Sequence, residues 1–281
     1  MTIALGLVFS VGVGIADFLG GWIARRAPAL ATVATAMVAS LAVMVTLLVG
    51  LEAADVVSSR AGGSDLLLGL GSGSMIGFGL AALYRGIADA SAAVVSPVAS
   101  ILAVLLPFGW DLATGGSLES LALAGAAVAL AGVGLTTVSP ELGDRVRVGV
   151  VWGVVAGIGF GGALTFLGQT SEDAGVFPAM IQRVTALAVL VAVARARRLP
   201  ALVPPDLRRA AIASGTLSAV AVAAFTVGAQ QGSLAEIAIT TALAPAITAG
   251  LAAVYAGDPF RWWQMIGAAV CCAGVAMVGA A

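Results

Sequence analysis

Five ionisable residues interrupt the long apolar stretches of this sequence: Asp17, Arg85, Asp111, Arg183 and Glu236. A charged side chain at the centre of a membrane helix costs about 2.5–3.5 kcal/mol on insertion scales, so each residue requires a partner or a function. Carboxylates bind protons or cations, and a guanidinium keeps its charge at any physiological pH. These residues can therefore form ion pairs, bind protons and recognise an anionic group.

The order of these residues suggests one acid–base pair in each half of the sequence. Asp17 and Arg85 are predicted at one depth, and Arg183 and Glu236 at the opposite depth. We expect the pairs to flank a cavity, forming and breaking as the cavity changes sides. In the alternative interpretation, Arg85 and Glu236 reach to the interface, and backbone or solvent satisfies Asp17. Tyr84, beside Arg85, is a candidate contact for an apolar or aromatic substrate.

Arg183 is the only arginine well inside a predicted helix, and two roles are open for it. It can hold a substrate carboxylate, or it can form an ion pair with Glu236. Asp17 and Glu236 are the candidate proton-binding groups, because the chain has no histidine. A carboxyl group in a poorly hydrated cavity retains its proton more readily than one in water. Protonation can therefore report the side to which a cavity opens.

Two prolines, Pro97 and Pro245, lie inside predicted helices close to hydroxyl-bearing residues. A proline in a helix interior removes a backbone hydrogen bond and kinks the helix. The freed carbonyl groups, with Ser96, Thr240 and Thr241, can line a polar pocket. The bends can equally serve packing alone.

The composition indicates that lipid surrounds most of the chain. Apolar residues make up 60% of the 281 residues, charged residues make up 10%, and the mean hydropathy is +1.10. Ordinary globular domains contain about 25% charged residues. Apolar runs of about 20 residues match the length of a helix that crosses a hydrocarbon core. We therefore predict an all-α integral membrane protein.

The apolar runs and the breaks between them predict ten transmembrane helices. Proline and glycine at 28, 62–63, 115–116 and 204–205 separate several of the runs. The predicted helices lie at 3–23, 29–50, 65–85, 91–112, 118–138, 148–168, 176–194, 210–230, 233–255 and 261–280.

The second half of the sequence repeats the first. Ser72–Ser91 matches Ser214–Ser233 without a gap, and the run that begins at Gly125 matches the run that begins at Gly267. Five helices in each copy is an odd number, so the second copy enters the membrane in the opposite orientation. We predict one five-helix repeat at 1–140, a linker at 141–147 and an inverted five-helix repeat at 148–281.

The arginines predict the orientation of the chain. Basic residues are enriched in the cytoplasmic loops of membrane proteins. In the predicted topology, Arg60 lies on one side of the membrane and eleven arginines lie on the other side. We therefore expect a protein of the plasma membrane with both termini outside the cytoplasm. The eleven are Arg25, Arg26, Arg85, Arg145, Arg147, Arg195, Arg197, Arg198, Arg208, Arg209 and Arg261.

Several classes of function are disfavoured by what the sequence contains. A formal charge of −1 argues against a nucleic-acid partner. The absence of histidine removes the commonest metal ligand, so we expect no metal site, no cofactor and no enzyme. The two cysteines, Cys271 and Cys272, are adjacent in an apolar run, and we interpret them as packing residues. A channel requires a continuous polar path, whereas the polar residues here are sparse.

Several stretches are similar to those of one transporter family. They are Gly14–Gly21, Tyr84-Arg85-Gly86, Val95–Val98, Gly232-Ser233-Leu234, Leu243–Thr248 and the segment from Gln264 to Val275. On these residues the chain resembles the EamA-type transporters of the drug/metabolite transporter superfamily over essentially its whole length. One departure is Gly115-Gly116, where the family often has Gly-Glu after the fourth helix of the first half.

The resemblance implies a central cavity lined by helices 1–4 and 6–9, with helices 5 and 10 at the periphery. It also implies export of amino acids, other metabolites or drugs. We therefore expect a secondary transporter that exports small amino-acid-like metabolites or drugs by alternating access around a midplane cavity. Expected partners are a small-molecule substrate, membrane lipid and coupling protons, for a monomer or homodimer. The alternative is a membrane scaffold or regulatory protein without transport activity.

Overall fold

The structure is a computed structural model, and it describes residues 1–53, 60–90, 92–116, 119–137, 146–200, 202–255 and 261–280. Within these ranges it contains α-helices joined by short connections. The helices are α1 (Thr2–Ala24), α2 (Ala29–Ala53), α3 (Gly63–Asp89), α4 (Ala92–Ala113), α5 (Ser120–Thr137), α6 (Val146–Gly168), α7 (Phe177–Ala196), α8 (Arg208–Gln230), α9 (Leu234–Thr240), α10 (Ala244–Tyr255) and α11 (Trp262–Ala280).

The fold is that of a helical membrane protein, although the length of its helices supports fewer spans than predicted. Eight of the described helical stretches are long and apolar enough to cross a membrane, with α9 and α10 counted together as Leu234–Tyr255. The apolar parts of α5 and α11, Ser120–Leu135 and Trp262–Val278, are shorter. All-helical architecture is thus confirmed, while spanning by α5 and α11 stays a prediction.

The predicted helix at 233–255 is not a single α-helix. A 3-10 turn at Thr241–Leu243 separates α9 from α10, and Pro245 is the second residue of α10. The irregular turn directly precedes Pro245 within the stretch Leu234–Tyr255, and the kink expected at Pro245 stays a prediction. By contrast, α4 continues past Pro97 from Ala92 to Ala113.

Side chains of neighbouring helices satisfy backbone carbonyl groups at this break. The Ser10 hydroxyl of α1 donates to the carbonyl of Thr240 over 2.6 Å. The Cys271 thiol of α11 donates to the carbonyl of Ala242 over 3.3 Å. Irregular backbone at membrane depth is tolerated where protein groups bond to it, so the break is stable. Cys271 therefore has a polar contact in addition to the packing role expected from the sequence.

The helices form two bundles and one separate pair. In bundle A, α1 packs against α8, α9 and α10, and α2 packs against α8. In bundle B, α6 packs against α3 and α4, and α7 packs against α3. The main contacts between the bundles join α2 to α7 and α4 to α9. The pair of α5 and α11 packs together, with Gly132 of α5 against the backbone of Cys271.

Each bundle takes helices from both halves of the chain, and corresponding residues make the same contacts. In bundle B, the Ser72 hydroxyl of α3 donates to the carbonyl of Ala163 of α6 over 2.7 Å. In bundle A, the Ser214 hydroxyl of α8 donates to the carbonyl of Ala16 of α1 over 2.9 Å. Ser72 and Ser214 occupy the same position of the sequence repeat. The two halves therefore exchange equivalent contacts.

Glycines bring the helices of each bundle into backbone contact. A Cβ atom on Gly159 of α6 would lie 2.5 Å from the Cα of Gly79 and 2.7 Å from the carbonyl oxygen of Met75. Gly12 of α1 corresponds to Gly159, because Gly6, Gly12, Gly14 and Ala16 recur at the same spacing as Gly153, Gly159, Gly161 and Ala163. A Cβ atom on Gly12 would lie 2.9 Å from the Cβ of Ala221 of α8. Gly69, Gly73 and Gly77 of α3 likewise lie against α7, and Gly153, Gly157 and Gly161 of α6 lie against α4. Small residues thus allow close approach of the helices.

Substitution of Gly159 with Ala is expected to destabilise bundle B, because the nearest atoms belong to backbone and cannot move aside. Overpacking of this kind costs about 1–3 kcal/mol. Gly162 of the same helix is the matched control, since a Cβ there would lie 3.4 Å from the flexible Met75 side chain. Gly162→Ala should keep or raise the melting temperature in detergent, because alanine favours helix by about 1 kcal/mol. Equal effects of the two substitutions would contradict this packing.

The two ends of the bundles differ in charge. The α1–α2, α3–α4 and α7–α8 connections lie at one end, which we call the arginine-rich end. Hydrophobic contacts join Ile23 to Val203 and Leu207 there. The α6–α7 and α8–α9 connections and the start of α3 lie at the opposite, arginine-poor end. At that end the backbone N–H of Arg60 donates to the carbonyl of Asp173 over 2.8 Å.

Candidate functional site

One face of α1 changes its surroundings along its length. Gly6, Ser10, Asp17 and Gly21 share this face by helical spacing. Toward the arginine-poor end the face is packed, with Gly6 against the Thr240 side chain and Ser10 fully buried. Toward the arginine-rich end it is open, since a Cβ on Gly21 would meet no atom within 4 Å. The face therefore borders open space at the arginine-rich end.

Asp17 lies at the start of this open region. Its side chain is exposed and lies on the same face of α1 as Gly21. The Tyr84 side chain of α3 is half-buried and lies within electrostatic range of Asp17. Phe18 and Tyr255 border the same region, with ring centroids 6.2 Å apart. We call this region the cleft.

Arg85 does not pair with Asp17 in this structure. Its Nε donates to the Asp89 carboxylate one turn later on α3 over 2.7 Å. The Arg85 side chain is exposed, as in the alternative interpretation in which it reaches the interface. A local partner four residues away is available at any conformation of the bundles, which explains why the predicted pair is not formed.

Arg183 lies between α2, α7 and α8, and Glu236 is not its partner. The residue is 4% exposed, and its Nη2 donates to the carbonyl and hydroxyl oxygens of Ser218 over 3.1 and 3.2 Å. Its Nη1 lies 3.6 Å from the sulfur of Met37. Glu236 instead occupies the first turn of α9, where its backbone N–H donates to the Ser233 hydroxyl over 3.3 Å. A carboxylate in a first turn is stabilised by the helix dipole.

The hydroxyl groups proposed as pocket lining have different environments. Thr240 and Thr241 are buried, and their hydroxyls donate to the carbonyls of Ile237 and Ala238, each over 2.6 Å. These bonds satisfy their own helix where α9 ends, so neither hydroxyl faces the cleft in this conformation. Ser96 of α4 is half-buried. The side chain of Pro97 lies outside the described residues.

Two hydrogen-bonded contacts close the arginine-poor end between the bundles. The Asp111 carboxylate of α4 accepts bonds from the Ser233 hydroxyl and the Ala235 backbone N–H, both over 3.0 Å. The Gln230 amide of α8 donates to the Thr170 hydroxyl over 2.9 Å and to the carbonyl of Gly175 over 3.0 Å. We call these contacts the Asp111 clasp and the Gln230 clasp.

A third contact at the same end stays within bundle B. The Asp65 carboxylate of α3 accepts bonds from the Ser171 backbone N–H over 2.8 Å and from its hydroxyl over 2.9 Å. It also accepts a bond from the backbone N–H of Gly62 over 2.8 Å. This contact holds the end of α6 against the start of α3 and does not join the bundles.

Sequence reasoning did not identify Gln230 and Ser233 as functional candidates. One usable signal was Ser233 followed three residues later by Glu236, a pattern that marks the start of a helix. The partner of Asp111 had no local signal, because Asp111 and Ser233 lie 122 residues apart in the chain. Within the described ranges, no group of three metal-binding side chains comes together.

An all-helical chain with eight apolar stretches of spanning length is a multi-pass helical membrane protein. Residues 147–280 match the EamA-like transporter family. This match confirms the resemblance drawn from the sequence over the second half of the chain.

Solved structures share the fold of the whole chain. One crystal structure of a protein aligns with a TM-score of 0.77, covering 98% of this chain and 95% of that chain. The two sequences are 15% identical, so this likeness concerns the fold alone. No curated protein matches the sequence.

Proposed function

We propose that this protein is a secondary transporter that exports small amino-acid-like metabolites or drugs across the plasma membrane. The main support for this proposal is the difference between the two ends of the molecule. The cleft beside Asp17 is open at the arginine-rich end, whereas two clasps close the arginine-poor end. A site accessible from one end at a time is what alternating access requires.

The exchange of helix contacts between the halves supports two inverted repeats, at 1–140 and 148–281. Ser72 bonds to α6 as Ser214 bonds to α1, and Gly159 meets α3 as Gly12 meets α8. A pseudo-twofold relation lets similar helix packing serve an opening at either end. We infer that bundle A rocks against bundle B, closing the cleft as the clasps release.

The arginine-rich end faces the cytoplasm in this proposal, because positive loop residues are retained there. The conformation described is then open to the cytoplasm. A substrate enters the cleft from the cytoplasm, contacts Tyr84 and Ser96, and leaves at the arginine-poor end. Asp17 binds the coupling proton, since it is an accessible carboxylate on the bundle boundary.

The test is substrate flux in vesicles reconstituted with the purified full-length protein. We expect saturable, substrate-dependent flux that is accelerated by a proton gradient, at rates below about 10³ per second, as slow as the domain motions that carry it. The probes are radiolabelled amino acids and cationic drugs. Protein-free vesicles give the background.

A membrane scaffold or regulatory protein is the competing function. It predicts no flux above background for any probe, together with normal folding. Such a result would reject the transporter proposal. Flux that does not saturate with concentration would instead assign the chain to the channels.

A further inference from the structure

The guanidinium of Arg183 has no charged partner among the described residues. Two of its donors bond to Ser218, and a third meets only the weakly accepting sulfur of Met37. Its Nε–H is buried and donates to no atom of the described part of the chain. The buried hydroxyl of Ser40, three residues after Met37 on α2, also lacks a hydrogen-bond partner there. Arg183 of α7 and Ser40 of α2 therefore each retain a hydrogen-bond donor without an acceptor in the described part of the chain.

The membrane segments that contact Arg183, from α2, α7 and α8, carry no acidic residue that could neutralise this charge. Positions 29–51 of α2, 177–194 of α7 and 210–230 of α8 contain no aspartate or glutamate. On α3, which packs against α7, Asp65 bonds to Ser171 near one end and Asp89 pairs with Arg85 near the other. A buried charge without a partner is strongly destabilising. Arginine does not relieve the cost by losing its proton.

Lipid headgroups are poorly placed to supply the missing anion. Arg183 lies six residues into α7, about 9 Å along the helix axis from Phe177. Its side chain does not extend to the protein surface, because it is buried against α2 and α8. The anion must therefore enter through the protein.

One face of α8 leads from the region of Asp17 to Arg183. Ser214 of α8 bonds to the carbonyl of Ala16, the neighbour of Asp17. Ser218, which bonds to Arg183, lies one turn farther along α8, about 6 Å along its axis. Ser218 and the preceding Thr216 and Leu217 are half-buried, so this stretch of α8 is not fully covered. Arg183 thus lies one turn deeper than Asp17, toward the arginine-poor end.

We propose that Arg183 binds the anionic group of the transported molecule, and that the substrates are small organic carboxylates. A planar guanidinium with a free Nε–H suits a carboxylate, which accepts two parallel hydrogen bonds. Arg183 belongs to bundle B, whereas its Ser218 partner belongs to bundle A. A carboxylate at Arg183 would compete with this link between the bundles. This inference rests on the proposed transport function and specifies its substrate.

Thermal unfolding of the full-length protein in detergent tests the proposal. The probes are sodium acetate, lactate and glutamate, with sodium chloride at equal ionic strength as the reference. We expect at least one carboxylate to raise the melting temperature above that in chloride, because a ligand of the folded state stabilises it. Arg183→Gln should weaken carboxylate affinity at least 100-fold, and Arg183→Lys should weaken it less. Arg147→Gln, at the exposed start of α6, should leave it unchanged.

Separate outcomes overturn this inference and the transporter proposal. If no carboxylate raises the melting temperature above that in chloride, the substrate assignment fails. If Arg183→Gln does not fold, Ser218→Ala still tests the site, since it removes one acceptor of Arg183 and should strengthen carboxylate binding. Unchanged or weaker binding would count against competition with the Ser218 link. Saturable flux of neutral or cationic probes alone would reject the carboxylate assignment while retaining the transporter.

Discussion

Replacement of Asp17 with Asn is expected to reduce proton-driven transport at least tenfold while leaving the folded protein in the membrane. Asn has nearly the same size as Asp but cannot exchange a proton, so the accessible group beside Tyr84 loses its charge without a change in packing. The measurement is initial flux in reconstituted vesicles, with and without an inward-directed or outward-directed proton gradient.

The matched control for Asp17→Asn is Glu172→Gln, an exposed carboxylate in the α6–α7 connection. It should transport at the wild-type rate and retain acceleration by the gradient. If Asp17→Asn also retains both properties, Asp17 does not bind the coupling proton. Loss of flux in the gradient alone, with normal exchange at equal pH, would locate the defect in coupling rather than in substrate binding.

Removal of the Asp111 clasp is expected to open the arginine-poor end. Hydrogen bonds to a charged group are each worth about 1.5–3 kcal/mol, and Asp111 accepts two from bundle A. Loss of even one of these bonds should therefore increase the open population at least about 10-fold, since 1.4 kcal/mol corresponds to a factor of ten. The readout is the labelling rate of Ser10→Cys by a membrane-impermeant maleimide, in a background in which Cys271 and Cys272 are serine. Ser10 is fully buried in the conformation described.

Asp65→Ala is the control for this experiment. Both aspartates lie at the arginine-poor end and accept bonds from a serine hydroxyl and a backbone N–H, but those of Asp65 stay within bundle B. Asp65→Ala should lower the melting temperature without faster labelling of Ser10→Cys. Equal acceleration by the two substitutions would mean that labelling reports loss of stability, and the clasp would not control opening.

The sequence predicted the helical architecture because lipid leaves the backbone few choices. Apolar runs of spanning length must satisfy their own N–H and C=O groups, which selects helices from composition alone. The regular helix α2 follows the pattern closely, from Ala29 as predicted. The region of Thr241–Leu243 does not, because the break there depends on Ser10 and Cys271, which reach its carbonyl groups from other helices.

The sequence identified the charged residues of the candidate site, but it did not identify the residues that they contact. Asp17 and Arg183 were singled out because isolated charges in apolar runs are expensive, and that cost is visible in the sequence. In the conformation described, Arg85 and Arg183 meet Asp89 and Ser218 instead of the acids of similar depth that one interpretation paired with them. Depth alone does not determine which residues face one another, since the rotation and tilt of each helix come from packing.

By itself the sequence determined the lipid-soluble helices, the internal repeat and the set of charges that the fold must accommodate. These properties are local, or they follow from matching one half of the chain with the other. The tertiary structure alone decided that α1 packs with α8 and α6 with α3, and that Arg183 meets Ser218 instead of Glu236. Such contacts join residues far apart in the chain, and their geometry depends on the simultaneous packing of all the helices around them.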